Sequence, residues 1–293
     1  HDIMAGVYTI KNSKLQFMIN AHLLKGRKLK FRDMMFRICT ICAVTLAMPV
    51  MIFAETIGVF YDTGAEQIEF AAGDVKTALE SKKFNIEMLD ISLLSATYPN
   101  KKVVISLTTD IRAKKILATE GGIAPTSLGE QAYALITTFQ GQTSYWVLGG
   151  DNSGAMYGGL QMAENINFSG FTGTYDMQES PAILKRGIKL NLPFDRESTT
   201  YGKATATSKI NAIHNVWDMT FWTSWFDQMA RYRYNVLSIW SNHPFTSMIK
   251  MPDYPNVAIQ DVIGFDGYKK NMSIDEKIDF WRKVMCYAKS RGY

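Results

Sequence analysis

The sequence predicts a small α+β domain followed by a truncated (β/α)8 TIM barrel, of which only the first two βα units are present. Strand-like and helix-like segments in mixed order fill residues 55–168. A polar, glycine-rich stretch ended by Pro181 follows, and the pattern then becomes strand, helix, strand, helix. That alternation is typical of a β/α barrel. A complete barrel needs roughly 250 residues, so the sequence predicts only its beginning.

Residues 1–54 have the order of a secretory signal peptide. Basic residues between Lys25 and Arg37 precede the apolar run Ile38–Phe53, and Ala54 offers a small residue for cleavage. The run contains Pro49 and is shorter than the roughly 20 residues of a membrane span. We therefore expect an exported protein (periplasmic, cell-surface or extracellular) whose mature chain has no integral membrane span.

The charge distribution and the number of cysteines bear on nucleic-acid binding, disulfide bonds and metal sites. Residues 1–54 carry eight Lys or Arg and two Asp or Glu, so the net charge of +5 becomes −1 for the rest. The basic excess belongs to the leader, and nucleic acid is therefore not expected as a partner. Cys286 is the single cysteine after the leader, which leaves no intrachain disulfide and no cysteine-based metal site. We expect neither a metal nor a cofactor.

The first domain, residues 55–176, is predicted to contain strands with helices packed on one face. Short alternations rich in β-branched residues indicate strands, and Gly141-Gln142-Thr143 between two apolar runs indicates a hairpin. The predicted strands are Ile57–Tyr61, Gln67–Ala71, Phe84–Leu89, Lys102–Thr108, Ala132–Gln140 and Ser144–Leu148. The predicted helices are Asp74–Ser81, Ile111–Thr119 and Asn152–Asn165.

The second domain, residues 177–293, is predicted to hold the start of the barrel. Its strands are Leu184–Leu192 and Val236–Trp240, separated by a long loop over 193–215 and a helix over Asp218–Tyr232. Apolar residues at helical spacing indicate that this helix packs on the core. A loop over Ser247–Gly267 and an amphipathic helix over Ile274–Ser290 follow, the helix with Ile278, Trp281, Val284 and Met285 inward.

Three motifs in this order resemble parts of known glycosidases. They are Asp151–Asn165 (DNSGAMYGGLQMAEN), Arg186–Asn191 (RGIKLN) and Asn235–Trp240 (NVLSIW). The first resembles the last helix of the accessory domain in the β-N-acetylhexosaminidases of glycoside hydrolase family 20 and the related α-glucuronidases of family 67. The other two resemble the first two barrel strands of those enzymes.

The resemblance implies a sugar site at the carboxyl ends of the two strands, where barrel enzymes place their active sites. Arg186 matches an arginine that holds hydroxyls of the terminal sugar, and a guanidinium suits vicinal hydroxyls. Asn191 stands where hexosaminidases usually have Asp. Trp240 would stack on a pyranose ring, and His243 follows it in the same loop.

Asp195, Arg196 and Glu197 in the first long loop are weaker candidates. Two carboxylates can serve general acid and base chemistry at a glycosidic bond, but they must face that bond at a separation of about 5 to 9.5 Å. Asp195 and Glu197 lie only two residues apart, a spacing that does not by itself provide this separation. A purely structural role is therefore the alternative for both residues.

The parent protein is therefore expected to be an exported, exo-acting glycoside hydrolase that acts on an oligosaccharide or polysaccharide. In the resembling families the catalytic carboxylates lie on the fourth barrel strand or later. Those positions fall beyond Tyr293, so the catalytic residues are unknown and the fragment itself is expected to be inactive. The alternative is a non-catalytic carbohydrate-binding protein that reuses the same fold.

Overall fold

The computed structural model describes residues 54–171, 173, 175–196, 207–241 and 244–293, with the backbone alone for 207–211 and 244–245. The predicted signal peptide lies outside the described residues, as do Glu197 and His243. Residues Ala54–Tyr293 form one compact unit. Within it, a six-stranded sheet with its helices precedes a smaller α/β segment.

The six-stranded sheet is mixed, with the strand order β2-β1-β3-β5-β4-β6. β1, β2, β3 and β5 run parallel, while β4 pairs antiparallel with β5 and with the short edge strand β6. The bounds are β1 Thr56–Tyr61, β2 Asn85–Asp90, β3 Lys101–Leu107, β4 Tyr133–Thr138, β5 Ser144–Gly149 and β6 Met177–Glu179. The helices are α1 Glu66–Ser81, α2 Ile111–Thr119 and α3 Asn152–Ser169. The sheet thus extends past residue 176, where we predicted the domain boundary.

Helices cover both faces of this sheet, so the predicted single helical face is wrong. Val103, Ile105 and Val147 pack with α1 and α3 in one core, whereas Val104 and Trp146 pack with α2 in another. Successive residues of a strand point to opposite faces, and β3 and β5 are buried at nearly every position. A strand that is buried on consecutive residues requires cover on both sides.

The predicted strand Gln67–Ala71 is also wrong, because these residues lie in the first turns of α1. Ile68 and Phe70 alternate as in a strand, but Ile68, Ala72, Val75 and Leu79 recur at helical spacing and are all buried. The helical spacing extends along the whole segment, whereas the strand-like alternation covers only a few residues, and the segment folds as a helix. This helix begins eight residues before Asp74.

Several helix starts are fixed by side chains that accept hydrogen bonds from the first turn. Asp110 accepts from Ala113 N at the start of α2, and Asp151 accepts from Gly154 N at the start of α3. Such caps satisfy main-chain donors that have no partner within the helix. The predicted Ile111–Thr119 helix is confirmed at both ends.

A buried ion pair lies in the core between the sheet and α2. Lys102 Nζ donates to Glu120 Oε1 at 2.5 Å, and both side chains are almost fully buried. Glu120 Oε2 accepts from Thr138 Oγ1 and Trp146 Nε1, while Lys102 also donates to Ser95 O. Buried charges are tolerated only when they are paired and hydrogen-bonded in this way.

The second segment is built on a parallel pair of strands, β7 (Gly187–Asn191) and β8 (Val236–Trp240). Two helices, α4 (Thr207–Val216) and α5 (Met219–Arg231), lie between these strands in the chain. The chain continues through α6 Pro244–Met248, a small antiparallel pair β9 (Val262–Ile263) and β10 (Lys269–Lys270), and α7 Ile274–Lys289. The strand–helix–strand connection agrees with the prediction, as do the two strands and the helix now labelled α5.

Two details of this segment differ from expectation. The loop predicted over 193–215 contains α4. On α7, Trp281 and Val284 are buried as predicted. Met285, which we predicted to face inward, is 48 % exposed, whereas Lys277, which we did not predict to face inward, is buried. No helix in the described ranges is long and apolar enough to cross a lipid bilayer.

Replacing Glu120 with alanine should destabilise the protein strongly, because Lys102 would remain buried without its counter-charge. We expect the free energy of unfolding to fall by about 3–5 kcal/mol, measured by urea denaturation with circular dichroism. The matched control is Glu80→Ala, which removes the exposed pair with Lys76. It should cost less than about 1 kcal/mol. Equal losses in the two variants would contradict the role of the buried pair.

Candidate functional site

The two-stranded sheet has one face packed on helices and one open face. Both strands alternate between exposed and half-buried positions. Leu190, Leu237 and Ile239 pack on a further core that α5 and α7 share, and the half-buried Ile188 lies on the same face of β7. The exposed positions are Gly187, Lys189, Asn191, Val236, Ser238 and Trp240. We call this set the open face.

The register places the polar groups of the open face at its carboxyl end. Asn191 lies directly opposite Trp240, and Lys189 lies opposite Ser238. Leu192 N donates to Trp240 O at 2.9 Å, which continues the pairing past the end of β7. The structure therefore brings together two of the four residues predicted to bind sugar.

Trp240 is the largest side chain of this group and is 40 % exposed. The Lys189 Nζ lies 5.5 Å from the centroid of its ring, a cation–π contact that holds the ammonium group over the indole. A flat aromatic face beside an amide and an ammonium group can stack on a sugar ring and hydrogen-bond its hydroxyls. No carboxylate occurs in β7 or β8, so these strands carry no carboxylic acid or base.

Asp195 has a structural use in the loop that follows β7. Its side chain is 1 % exposed, and its Oδ2 accepts a hydrogen bond from Ile263 N at 2.6 Å. Arg196 N donates to Ile263 O at 2.9 Å, so both the N–H and the carbonyl group of Ile263 in β9 are hydrogen-bonded to this loop. Asp195 is buried and therefore is not presented to a substrate, whereas the side chain of Arg196 is exposed.

Lys277 is a buried titratable group beside this loop that the sequence did not reveal. Its Nζ donates to Ile259 O at 2.9 Å and lies 5.4 Å from the ring centroid of Trp217. Burial lowers the pKa of Lys277 to about 8, although the charges of Asp195 and Asp261 act in the opposite direction. A lysine on an amphipathic helix is usually solvated, so no sequence signal marked it.

Arg186 does not lie with Asn191 and Trp240, and the predicted shared rim is wrong for this residue. It precedes Gly187, which pairs with Val236 at the amino end of both strands. Trp240 stands at the carboxyl end. In the sequence, Arg186 directly precedes β7 and Trp240 is the last residue of β8. Because the two strands are parallel, these two positions lie at opposite ends of the sheet.

The Arg186 side chain is fully engaged within the protein. Its guanidinium donates to the main-chain oxygens of Ile183, Leu184 and Arg233, and its Nη2 donates to Gln131 Oε1 at 2.9 Å. Gln131 belongs to the turn before β4 of the six-stranded sheet. Arg186 therefore joins this sheet to the start of β7.

Asn235 completes the same arrangement from the start of β8. Its Oδ1 accepts from Arg186 N at 2.8 Å, and its Nδ2 donates to Gln131 Oε1 at 3.0 Å and to Leu184 O at 2.7 Å. We call Gln131, Leu184, Arg186 and Asn235 the anchor network. Asn235 was not among the predicted site residues, although it begins the NVLSIW motif.

Two of the predicted site residues, His243 and Glu197, lie outside the described residues, and their roles remain predictions. Within the described part of the chain, no group of three or more His, Cys, Asp or Glu side chains is arranged to hold a metal ion.

The arrangement of a mixed sheet followed by a strand–helix–strand unit matches part of a glycoside hydrolase of known structure. The resemblance to glycoside hydrolases is confirmed at the level of the fold. The matching structure is a GH138 enzyme targeting pectin rhamnogalacturonan II, with a TM-score of 0.57 and 17% identity over 81% of this chain. The match covers 30% of that enzyme, so the chain spans less than a third of its length.

Two further solved structures match at lower TM-scores. One is a glycoside hydrolase family 20 β-N-acetylglucosaminidase, with a TM-score of 0.42 and 16% identity over 82% of this chain and 38% of that one. The other is a β-N-acetylhexosaminidase from Bacteroides fragilis, with a TM-score of 0.42 and 13% identity over 82% and 40% of the two chains. No protein-family model matches the sequence, and no curated protein matches it.

Replacing Lys277 with methionine should remove a pH dependence of stability. The folded pKa of about 8 lies below the ordinary value of 10.5, so the unfolded chain holds the proton more tightly. Wild-type stability then rises as the pH increases from about 8 toward about 10.5. Between about pH 7.5 and about pH 9.5 the wild type should gain about 2 kcal/mol relative to the variant.

Thermal denaturation of both proteins across this range measures the effect. Lys283→Met on the exposed side of the same helix is the control and should follow the wild-type profile. Parallel profiles of the wild type and Lys277→Met would show that the buried amine does not titrate in this window.

Arg186→Ala should destabilise the protein, because it removes the donor to the main-chain oxygens of Ile183 and Arg233 and one of the two donors to Gln131 Oε1. We expect a loss of about 2–4 kcal/mol in the free energy of unfolding. Arg282→Ala is the control, since Arg282 pairs with Asp279 on the surface, and it should change little. Urea denaturation compares them, and an unchanged midpoint for Arg186→Ala would contradict the anchoring role.

Proposed function

We propose that this chain is the amino-terminal part of an exported, exo-acting glycoside hydrolase whose catalytic domain is a (β/α)8 barrel. The observation that carries the proposal is the pairing of Asn191 with Trp240 at the carboxyl end of two parallel strands. In barrel enzymes the substrate is bound at that end of the strands. The fold shared with the GH138 enzyme supports the same class of protein.

The two-stranded sheet supports the expectation of a larger barrel. In the described residues β7 and β8 pair only with each other. An isolated two-stranded sheet is marginal in water, and its open edges favour pairing with further strands. Added strands would place Lys189, Asn191, Ser238 and Trp240 inside the closed barrel, at or near its carboxyl mouth.

The catalytic carboxylates are expected on later strands, beyond Tyr293. The substrate would be a terminal sugar of a glycan or polysaccharide, stacked on Trp240 and hydrogen-bonded by Asn191. Export rests on the leader, in which basic residues precede the apolar run Ile38–Phe53. Signal-peptide cleavage would be tested by the amino-terminal sequence of the secreted protein.

A carbohydrate-binding protein without hydrolytic activity is the second candidate. It is favoured by one observation, namely that the open face carries a tryptophan, an amide and an ammonium group but no carboxylate. The sequence that follows Tyr293 separates the two candidates. A Glu or an Asp-Glu pair at the end of the fourth barrel strand supports the enzyme.

The protein extended through this downstream sequence should hydrolyse either aryl N-acetylglucosaminides or aryl glucuronides. In it, Trp240→Ala should lower kcat/KM about 10- to 100-fold, because the sugar loses the apolar surface that the indole buries. Trp240→Phe retains a flat ring and should retain most of the activity. Initial-rate kinetics measure these values.

Two outcomes would count against the proposal. If neither substrate class is hydrolysed while the protein still binds polysaccharide, the binding protein is the better assignment. If Trp240→Ala has wild-type kinetics, the open face does not contact the sugar.

A further inference from the structure

A cavity of about 570 Å³ lies at the amino end of β7 and β8, away from Asn191 and Trp240. It is lined by β4 and α3 of the six-stranded sheet, by the segment from Glu179 to Arg186, and by the end of α5 with Arg233. We call it the linker cavity. Its volume lies within the range of about 300–1,000 Å³ that is usual for small-molecule sites.

The cationic groups of the linker cavity are already neutralised. Arg233 pairs with Glu164 at 2.9 Å, and Arg231 forms two hydrogen bonds with the Asp74 carboxylate. Arg186 is held by the anchor network. A cavity whose arginines are satisfied in this way offers no strong attraction to an anion.

Two polar groups of the cavity have no hydrogen-bond partner among the described residues. They are the hydroxyl of the buried Tyr133 and the carboxylate of Glu179, which is exposed on the edge strand β6. Tyr133 is 8 % exposed, and its pKa is raised to about 12, chiefly by burial. The charges of Arg233, Glu179 and Glu164 act on this hydroxyl, so it lies near groups that can share a ligand with it.

The walls of the cavity are aromatic as well as polar. The rings of Tyr133, Tyr157 and Tyr232 contribute to the lining, and Arg186 lies 5.4 Å from the ring centroid of Tyr157. The Tyr157 hydroxyl is buried and has no hydrogen-bond partner among the described residues. Aromatic rings bind the apolar C–H face of a ring, while hydroxyl and carboxylate groups bind substituents that both donate and accept.

We propose that the linker cavity binds a neutral saccharide, one or two pyranose units in size. Tyr133 and Glu179 hydrogen-bond its hydroxyls, and a tyrosine ring supports its C–H face. The site lies at the opposite strand ends from the open face and takes no part in bond cleavage. Its role is to hold a glycan chain on the protein, and it does not depend on the proposed hydrolase activity.

The full chain of residues 1–293 can be tested with cellobiose and glucose, and with glucuronic acid as the charged counterpart of glucose. Saturation-transfer NMR should detect cellobiose, and calorimetry should give its Kd. Tyr133→Phe and Glu179→Gln each remove one polar contact without changing the side-chain shape, and each should raise the Kd about 2- to 10-fold. Glucuronic acid should bind no more tightly than glucose.

Tyr254→Ala is the matched control, because Tyr254 is an exposed aromatic residue outside both the linker cavity and the open face. It should leave the Kd of cellobiose unchanged. The proposal is overturned if cellobiose and glucose do not bind, if Tyr133→Phe and Glu179→Gln both bind as the wild type does, or if Tyr254→Ala abolishes binding. Preferential binding of glucuronic acid would overturn the assignment to neutral sugars. Failure of aryl-glycoside hydrolysis in the extended protein bears only on the proposed enzyme.

Discussion

The position of the open face depends on the anchor network at the other end of the same strands. Arg186 and Asn235 precede β7 and β8, and both meet Gln131, which is part of the six-stranded sheet. Because the first residues of both strands are held together, the parallel register is set from the start, with Gly187 opposite Val236. A slip of one residue would turn Ile188 and Leu190 out of the core. The network therefore also determines that Asn191 meets Trp240.

Local patterns in the sequence predict the elements whose own residues determine their structure. The helix predicted over Ile111–Thr119 and the hairpin predicted at Gly141-Gln142-Thr143 both occur in the structure. Residues 207–216 were missed because their first residues, Thr207 and Ser208, are weak helix formers. The helix depends on a core that Ile213 shares with distant residues of α5 and α7, and this contact has no local signature.

The sequence predicted that Asn191 and Trp240 meet, because the carboxyl ends of parallel strands lie at one edge. It did not predict the place of Arg186. Arg186 has a side chain suited to sugars, but its guanidinium binds main-chain oxygens at the opposite edge. Lys277 was missed for the converse reason, since its burial follows from Trp217 and Ile259 lying across the helix. Residue type constrains what a side chain can do, while tertiary contacts decide whether it does so.

The separation of the anchor network from the open face has a consequence for how such a protein can diverge. Asn191, Ser238 and Trp240 make no contact with Gln131 or Arg186 in the anchoring hydrogen bonds. Substitutions at the carboxyl ends can therefore occur while the strands keep their alignment. At the proposed glycan site, variation would fall on a few exposed positions, and a separate set of residues about five positions earlier along each strand would preserve the pairing.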